Sequence, residues 1–168
     1  MPRSAPARVI GLISDTHGLV RPEVFTAFDG VDAIFHAGDV GGSEVLAVLA
    51  RIAPVQAVLG NTDVRDDPRL SVHFTEPVGG LTVHVSHGHE LGIPSPAGLL
   101  QRYDADVIVY GHTHRPLVVR SGRRLVVNPG FAGPRRFDLR PSVAKLTVRD
   151  GVASVEIVSL TGSSRTAP

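Results

Sequence analysis

The 168-residue chain contains no cysteine. Disulfides, thiolate metal sites and a cysteine nucleophile are therefore excluded, and the absence fits a reducing compartment. An excess of either charge is lacking too. With 17 Lys and Arg against 16 Asp and Glu the formal net charge is +1, which supplies no long-range attraction to nucleic acid or membrane. Any anionic ligand must be held by local groups. Long hydrophobic runs are also missing: the opening MPRSAPAR has no apolar core, residues 9–13 are too few for a signal peptide, and no run approaches the length of a membrane span. A cytoplasmic location is the expectation. With 42% hydrophobic and 20% charged residues, the composition is that of an ordinary globular domain. The length suits one core rather than two. Residues 1–168 are read as a single domain, its core at about 8–160, with loose ends at 1–7 and 161–168.

What is present is a set of short apolar runs that stop on polar residues beside glycine. Residues 33–36 lead into Gly38-Asp39, residues 9–14 into Asp15-Thr16-His17-Gly18, residues 55–59 into Gly60-Asn61-Thr62-Asp63, and residues 107–110 into Gly111-His112-Thr113-His114. Such runs read as buried strands. In open α/β sheets ligands bind beyond the carboxyl ends of the strands, so these polar groups are expected to converge.

Between the runs, residues 22–28 and 43–51 have helical apolar spacing, with Pro22 at a helix start and Ser43 as N-cap. Strand, helix, strand, helix, strand at this spacing predicts a parallel α/β unit. From about residue 64 the pattern changes. Residues 64–69 read as loop, 72–78 and 81–86 as a hairpin around Gly79-Gly80, and 96–103 as a short helix. Two more hairpins follow, 116–120 with 124–127 and 142–148 with 152–160. The expected fold class is α/β, with two sheets packed together and helices outside.

Of eight histidines, His36, His73 and His84 lie inside strands and are most simply hydrogen-bonded or surface imidazoles. His17, His87, His112 and His114 follow strand ends close to glycines, where backbone can approach a ligand. Imidazole, carboxylate and amide oxygen without sulfur suit Mn²⁺, Fe²⁺, Zn²⁺ or Ni²⁺. Seven donors, Asp15, His17, Asp39, Asn61, His87, His112 and His114, are too many for one ion and suit two that share a carboxylate. Two dications and two carboxylates sum to +2, and a bridging hydroxide lowers this to +1. Such a site attracts an anion and acidifies bound water.

Asp-x-His, Gly-Asp, Gly-Asn-x-Asp, His-Gly-His and Gly-His-Thr-His, in this order, resemble the calcineurin-like metallophosphoesterase superfamily. The compact length, the DTHG start and Asn128-Pro129-Gly130 resemble its small phosphodiesterases of the YfcE type, related to the retromer subunit Vps29. The resemblance implies a four-layer sandwich of two mixed β-sheets flanked by helices. Asp15, His17, Asp39 and His114 would hold one metal and Asp39, Asn61, His87 and His112 the other, with Mn²⁺ the first expectation. It implies a phosphodiesterase acting on a small or nucleotide-like phosphodiester, with Asp39 and Asn61 at its chemical centre and His89 and Asp63 orienting ligands or water. The alternatives are a Vps29-like interaction scaffold, or a phosphomonoesterase or dinucleoside-polyphosphate hydrolase. Two positions depart from the family pattern: Thr62 stands where many phosphatases place a proton-donating histidine, and Phe131 stands where a serine is common. Arg135 and Arg136 could clamp a phosphate at the rim. Gly41-Gly42-Ser43 could hold an anion, although no P-loop lysine follows. Neither the metal nor the oligomeric state, a homo-oligomer included, is encoded in these motifs.

Overall fold

The structure is a computed structural model that describes residues 3–136 and 138–161. The first two residues of the expected loose start, and 162–168 of the expected tail, lie outside the described residues. The elements are β1 (Arg8–Ile13), α1 (Glu23–Ala27), β2 (Ala33–His36), α2 (Ser43–Ala50), β3 (Val55–Val58), β4 (Leu70–Ser71), β5 (His73–Val78), β6 (Leu81–Ser86), α3 (Pro96–Arg102), β7 (Val107–Val109), β8 (Leu117–Ser121), β9 (Arg124–Asn128), β10 (Ser142–Arg149) and β11 (Val152–Ser159). One sheet has the order β11-β10-β1-β2-β3-β4 and the other β5-β6-β7-β9-β8. Both are mixed. In the first, β1 to β4 are parallel and β10 and β11 antiparallel; in the second, β6, β7 and β9 are parallel, with β5 and β8 as antiparallel edges.

Strand periodicity explains the layers. Alternate residues point to opposite faces, and both faces of the central strands are apolar. Ile10, Leu12, Phe35, Val83, Val85, Val107, Val109, Leu125, Val127 and Leu146 fill the space between the sheets. Residues one step out of phase turn outward: Ile13 and Ile34 meet Val24 and Phe28 of the α1 region and Val45 and Leu49 of α2. On the other sheet Ile108 and Val126 meet Leu99 of α3. Doubly covered strands give near-continuous hydrophobic runs instead of alternation. Four layers result, α/β/β/α, as expected. Gly11 is a packing requirement, since a Cβ there would lie 2.9 Å from the Phe28 ring.

Two local readings are corrected. Ser43 does not cap α2: it is the first helical residue, and Gly42 is the N-cap at φ 123°, with no side-chain cap bond. The chain reaches α2 through Gly41 and Gly42, both at positive φ, a path suited to glycine. The strand expected over 72–78 starts one residue later, at His73, and a short strand that the loop reading of 64–69 did not anticipate precedes it. Leu70 and Ser71 pair with β3 in the first sheet, while His73 pairs with Ser86 in the second. Val72, 73% exposed, lies where the chain crosses between sheets. Pro77 falls on the edge strand β5, where a missing N–H is tolerated.

No helix among the described residues is long and apolar enough to cross a membrane.

Candidate metal centre

The loops following β1, β2, β3, β6 and β7 deliver Asp15 and His17, Asp39, Asn61, His87, and His112 with His114 to one place. The strand-to-loop turns there are unusually sharp. Among the described residues six non-glycine positions have positive φ, and five are donors: Asp15 (55°), His17 (45°), Asp39 (55°), His112 (70°) and His114 (64°). The sixth, Asp150, sits in a hairpin turn. An L-residue in this region costs roughly 1–2 kcal/mol, and such strain persists only where the surroundings enforce it.

Each aspartate divides its two oxygens between protein and site. Asp15 Oδ2 accepts from Ser14 Oγ (2.6 Å) and the His112 N–H (3.1 Å). Its Oδ1 faces His114 Nε2 at 3.2 Å and His17 and His87 Nε2 at 3.9 Å. Asp39 Oδ1 accepts from the Thr62 N–H at 2.9 Å. Its Oδ2 lies 3.8 Å from His17 Nε2 and 3.4 Å from His87 Nε2. Asn61 Oδ1 lies 3.0 Å from His87 Nε2 and 3.1 Å from His112 Nδ1. Asp39 thus stands between one group that contains His17 and another that contains His87 and Asn61.

The donor set fits divalent cations on its own chemistry. Asp15 Oδ1 and His17 Nε2 are buried with no hydrogen-bond partner, an arrangement that costs free energy unless a cation compensates it. His87 Nδ1 lies 2.7 Å from the Ala37 carbonyl; a carbonyl only accepts, so Nδ1 carries the proton and Nε2 turns a lone pair to the site. Ligand atoms bound to one cation at ~2.1 Å lie ~3.0–3.4 Å apart, the separations seen among Asp39, Asn61, His87 and His112 and between Asp15 and His114, with His17 standing back at 3.8–3.9 Å. Burial alone would oppose charging of both Asp39 and His87. With no cation bound, a proton on His87 Nε2 stands where the cation would, and its bond and attraction to Asp39 outweigh burial, so the Asp39 carboxyl is held well below the usual range and the His87 pKa is raised. Burial and the neighbouring His87 lower the pKa of His112, keeping its ring neutral.

The donors are held by residues that touch no ligand. Gly111 gives Ser14 and Asp15 room, since a methyl group there would overlap Ser14 Oγ. Asn128 donates to Gly111 O and Thr113 Oγ1 and accepts from Gly130 N, fixing the loop that carries His112 and His114. Asp63 accepts from the N–H groups of Val40, Gly41 and Gly60, tying the Asp39 loop to the Asn61 loop. That carboxylate also occupies the Gly41 amide of the Gly41-Gly42-Ser43 segment, where sequence suggested an external anion.

His36, fully buried, completes the support. The Gly38 N–H donates to its Nδ1, so its Nε2–H donates to Thr16 Oγ1, whose hydroxyl donates to Val40 O. Burial lowers the His36 pKa to about 4, against 6.5 for a free imidazole. The unfolded chain therefore binds more protons between these values: the stabilisation is complete above pH 6.5 and is lost as pH falls toward 4. Between pH 7 and 5 the loss is roughly 2 kcal/mol. Urea unfolding of metal-free protein is expected to show a shallower pH slope for His36→Gln, whose side chain cannot charge. Parallel slopes would contradict the neutral, buried imidazole.

An open cleft of about 430 Å³ lies over the donors, lined by His17, Asp39, Asn61, His112 and His114, by Thr62 and Thr113, and by Arg115, Arg136 and Leu139 at its rim. His89 lies at the flank, its ring 5.3 Å from that of His87 and 6.3 Å from that of His112. Phe131 is buried with its ring 5.7 Å from that of His114, so this position presents an apolar ring to that histidine rather than a hydroxyl. Arg135 is not among the cleft residues and Arg115, which sequence reasoning passed over, is. Ser14, Thr16 and Asn128 were likewise missed as supports. Asn128 carried the same signal as the donors, an apolar run that stops on a polar residue near glycine.

The model of the calcineurin-like phosphoesterase superfamily domain matches residues 9–151. A protein of Methanothermobacter thermautotrophicus named probable metallophosphoesterase is 36% identical over 166 residues, covering 89% of this chain and 91% of the relative. A Methanocaldococcus jannaschii protein named phosphodiesterase is 26% identical over 139 residues, 72% of this chain and 82% of the relative. Among solved structures, vacuolar protein sorting 29 of Cryptosporidium parvum superposes with a TM-score of 0.75 at 23% identity, covering 91% of this chain and 97% of that one. At that identity the likeness is one of fold.

Proposed function

The chain belongs to the calcineurin-like phosphoesterase superfamily, and on that footing we propose that it is a phosphodiesterase dependent on two divalent cations. Asp15, His17, Asp39 and His114 would hold one cation and Asp39, Asn61, His87 and His112 the other, with Asp39 shared. The observation that carries this reading is the pair of buried, unpartnered donor atoms, Asp15 Oδ1 and His17 Nε2, facing the shared carboxylate. The relative named phosphodiesterase supports the diester assignment. A scaffold retaining only the fold would have no need of seven intact donors, five of them in strained conformations.

When bound, the cations would acidify water and neutralise charge on the phosphoryl oxygens. In hydrolysis an oxygen of water bonds to phosphorus, the bond to the ester oxygen breaks, and the departing oxygen takes up a proton or leaves as the anion. The chain's own residues contribute orientation. Ser14, the His112 N–H and the Thr62 N–H fix which oxygen of each aspartate points inward, and Asp63 keeps the Asp39 and Asn61 loops in register. No protein nucleophile is required. Thr62, exposed at the cleft, cannot donate a proton near neutral pH as a histidine would. Aryl esters, which leave as stabilised anions, are therefore the favoured artificial substrates.

The test is hydrolysis of bis(p-nitrophenyl) phosphate with Mn²⁺, Fe²⁺, Zn²⁺ or Ni²⁺. Turnover that depends on the added cation and stops on chelation is expected. No turnover with any of the four would overturn the assignment.

A further inference from the structure

We propose that Arg115 and Arg136 form a second anion site on the rim of the cleft, so that the preferred substrate is a phosphodiester one of whose arms carries a further phosphate. This rests on the phosphodiesterase reading of the floor below and adds a substrate class to it.

What sets these two apart from the other arginines is that they line the cleft over the donors, and that neither is occupied in bracing the fold as several others are. Arg21 donates twice to Gly133 O, Arg120 to Ala153 O, and Arg124 to the carbonyls of Ala105, Leu100 and Tyr103. Arg69 pairs with Asp67. Arg115 and Arg136 have no hydrogen-bonding or ion-pairing side-chain partner among the described residues, and both line the same cleft from different loops. A guanidinium offers a planar fork of donors matched to phosphate.

Their placement is enforced by the fold. Arg115 follows His114 directly and precedes Pro116, which packs against Gly130. Arg136 lies on a loop tied down on both sides: the Ala132 N–H donates to Ser14 O, Arg21 grips Gly133 O, the Leu139 N–H returns to Arg136 O, and the Ser142 N–H donates to Phe131 O. Gly133 lies so close to Thr16 O that a Cβ there would overlap it. The segment that carries Arg136 is therefore clamped to the β1 exit that carries Asp15 and His17.

The charge balance points the same way. Asp39 is the single carboxylate among the cleft residues, and its inward oxygen is directed at His17 and His87. Two dications less Asp15, Asp39 and a hydroxide leave +1 at the floor, and the two guanidiniums raise the cleft to +3. One diester charge leaves most of this unmet. A second phosphate reaching the rim would satisfy most of it.

The experiment compares thymidine 5′-(p-nitrophenyl phosphate) with the same compound bearing a 3′-phosphate, in the metal-loaded protein. The 3′-phosphate is expected to lower KM about 10-fold, the scale of one charge-assisted contact. That advantage should shrink to within about 2-fold in Arg115→Ala/Arg136→Ala and reverse in Arg136→Glu. Equilibrium dialysis of thymidine 3′,5′-bisphosphate against the 5′-monophosphate supplies a readout independent of turnover, with the same arginine dependence expected. No preference for the 3′-phosphate, or a preference that survives the double substitution, would overturn the anion site. Arginine-dependent binding of the bisphosphate without hydrolysis of either ester would uphold the anion site and overturn the phosphodiesterase reading.

Discussion

Replacing Asp39 by asparagine is expected to lower metal-supported hydrolysis of an aryl phosphodiester by roughly 10³-fold or more, the several kcal/mol that cation stabilisation of the transition state supplies. The substitution is nearly isosteric and keeps an oxygen for the Thr62 N–H that holds Oδ1, so the loop retains its shape. What it removes is the charge that faces both His17 and His87. Two consequences separate this from a general loss of folding. Wild-type protein should gain about 2.7 kcal/mol of stability at a cation concentration 100 times the dissociation constant, and most of that gain should vanish in Asp39→Asn. The metal-free variant should still fold, because the Thr62 bond is kept, but should be less stable than metal-free wild type, because it lacks the charge that pairs with His87. Equal turnover by the two proteins would mean that hydrolysis occurs elsewhere, and an unchanged metal-induced shift in melting temperature would remove Asp39 from the ligand set.

The main layers and donor positions were legible because one physical rule governs both. A strand buried on two faces is an apolar run, and where it ends the chain must turn with glycine and polar groups. Residues 9–14, 33–36, 55–59 and 107–110 therefore announced strand and site together. Less legible was what happens across space. Nothing local in Leu70-Ser71-Val72-His73 says that the chain changes sheets at Val72, because the pairing partners are β3 and Ser86. Ser43 had the composition of a cap, yet the approach through Gly41 and Gly42 set the helix start one residue earlier. Within the site, residue type nominated the donors, but the hydrogen bonds of Ser14, Thr16, His36 and Asn128 join segments that sequence does not place side by side. Arg115 was passed over for the same reason: it lines the cleft together with Arg136, which is far from it in the chain.

Thr62 governs the other large effect, the choice of leaving group. An alkyl ester departs as a strongly basic alkoxide unless it is protonated as the bond breaks, whereas a nitrophenolate needs no such help. General-acid assistance contributes ~10²–10⁴-fold. Thr62 faces the cleft and is exposed, and its backbone N–H already serves Asp39, so a longer side chain at this position extends into open space without disturbing that bond. In a series of diesters with leaving groups of increasing pKa, wild-type rates should fall steeply. Thr62→His should flatten the dependence, raising turnover of the alkyl members about 10²-fold and leaving the nitrophenyl member little changed. The pH profile carries an independent sign: a histidine donates only while protonated, so the gain on alkyl esters should be greatest on the acid side and decline as pH rises through the imidazole pKa, about 6.5 when unperturbed. Parallel leaving-group lines for the two proteins, or a gain that does not depend on pH, would show that position 62 is not where the leaving oxygen receives its proton.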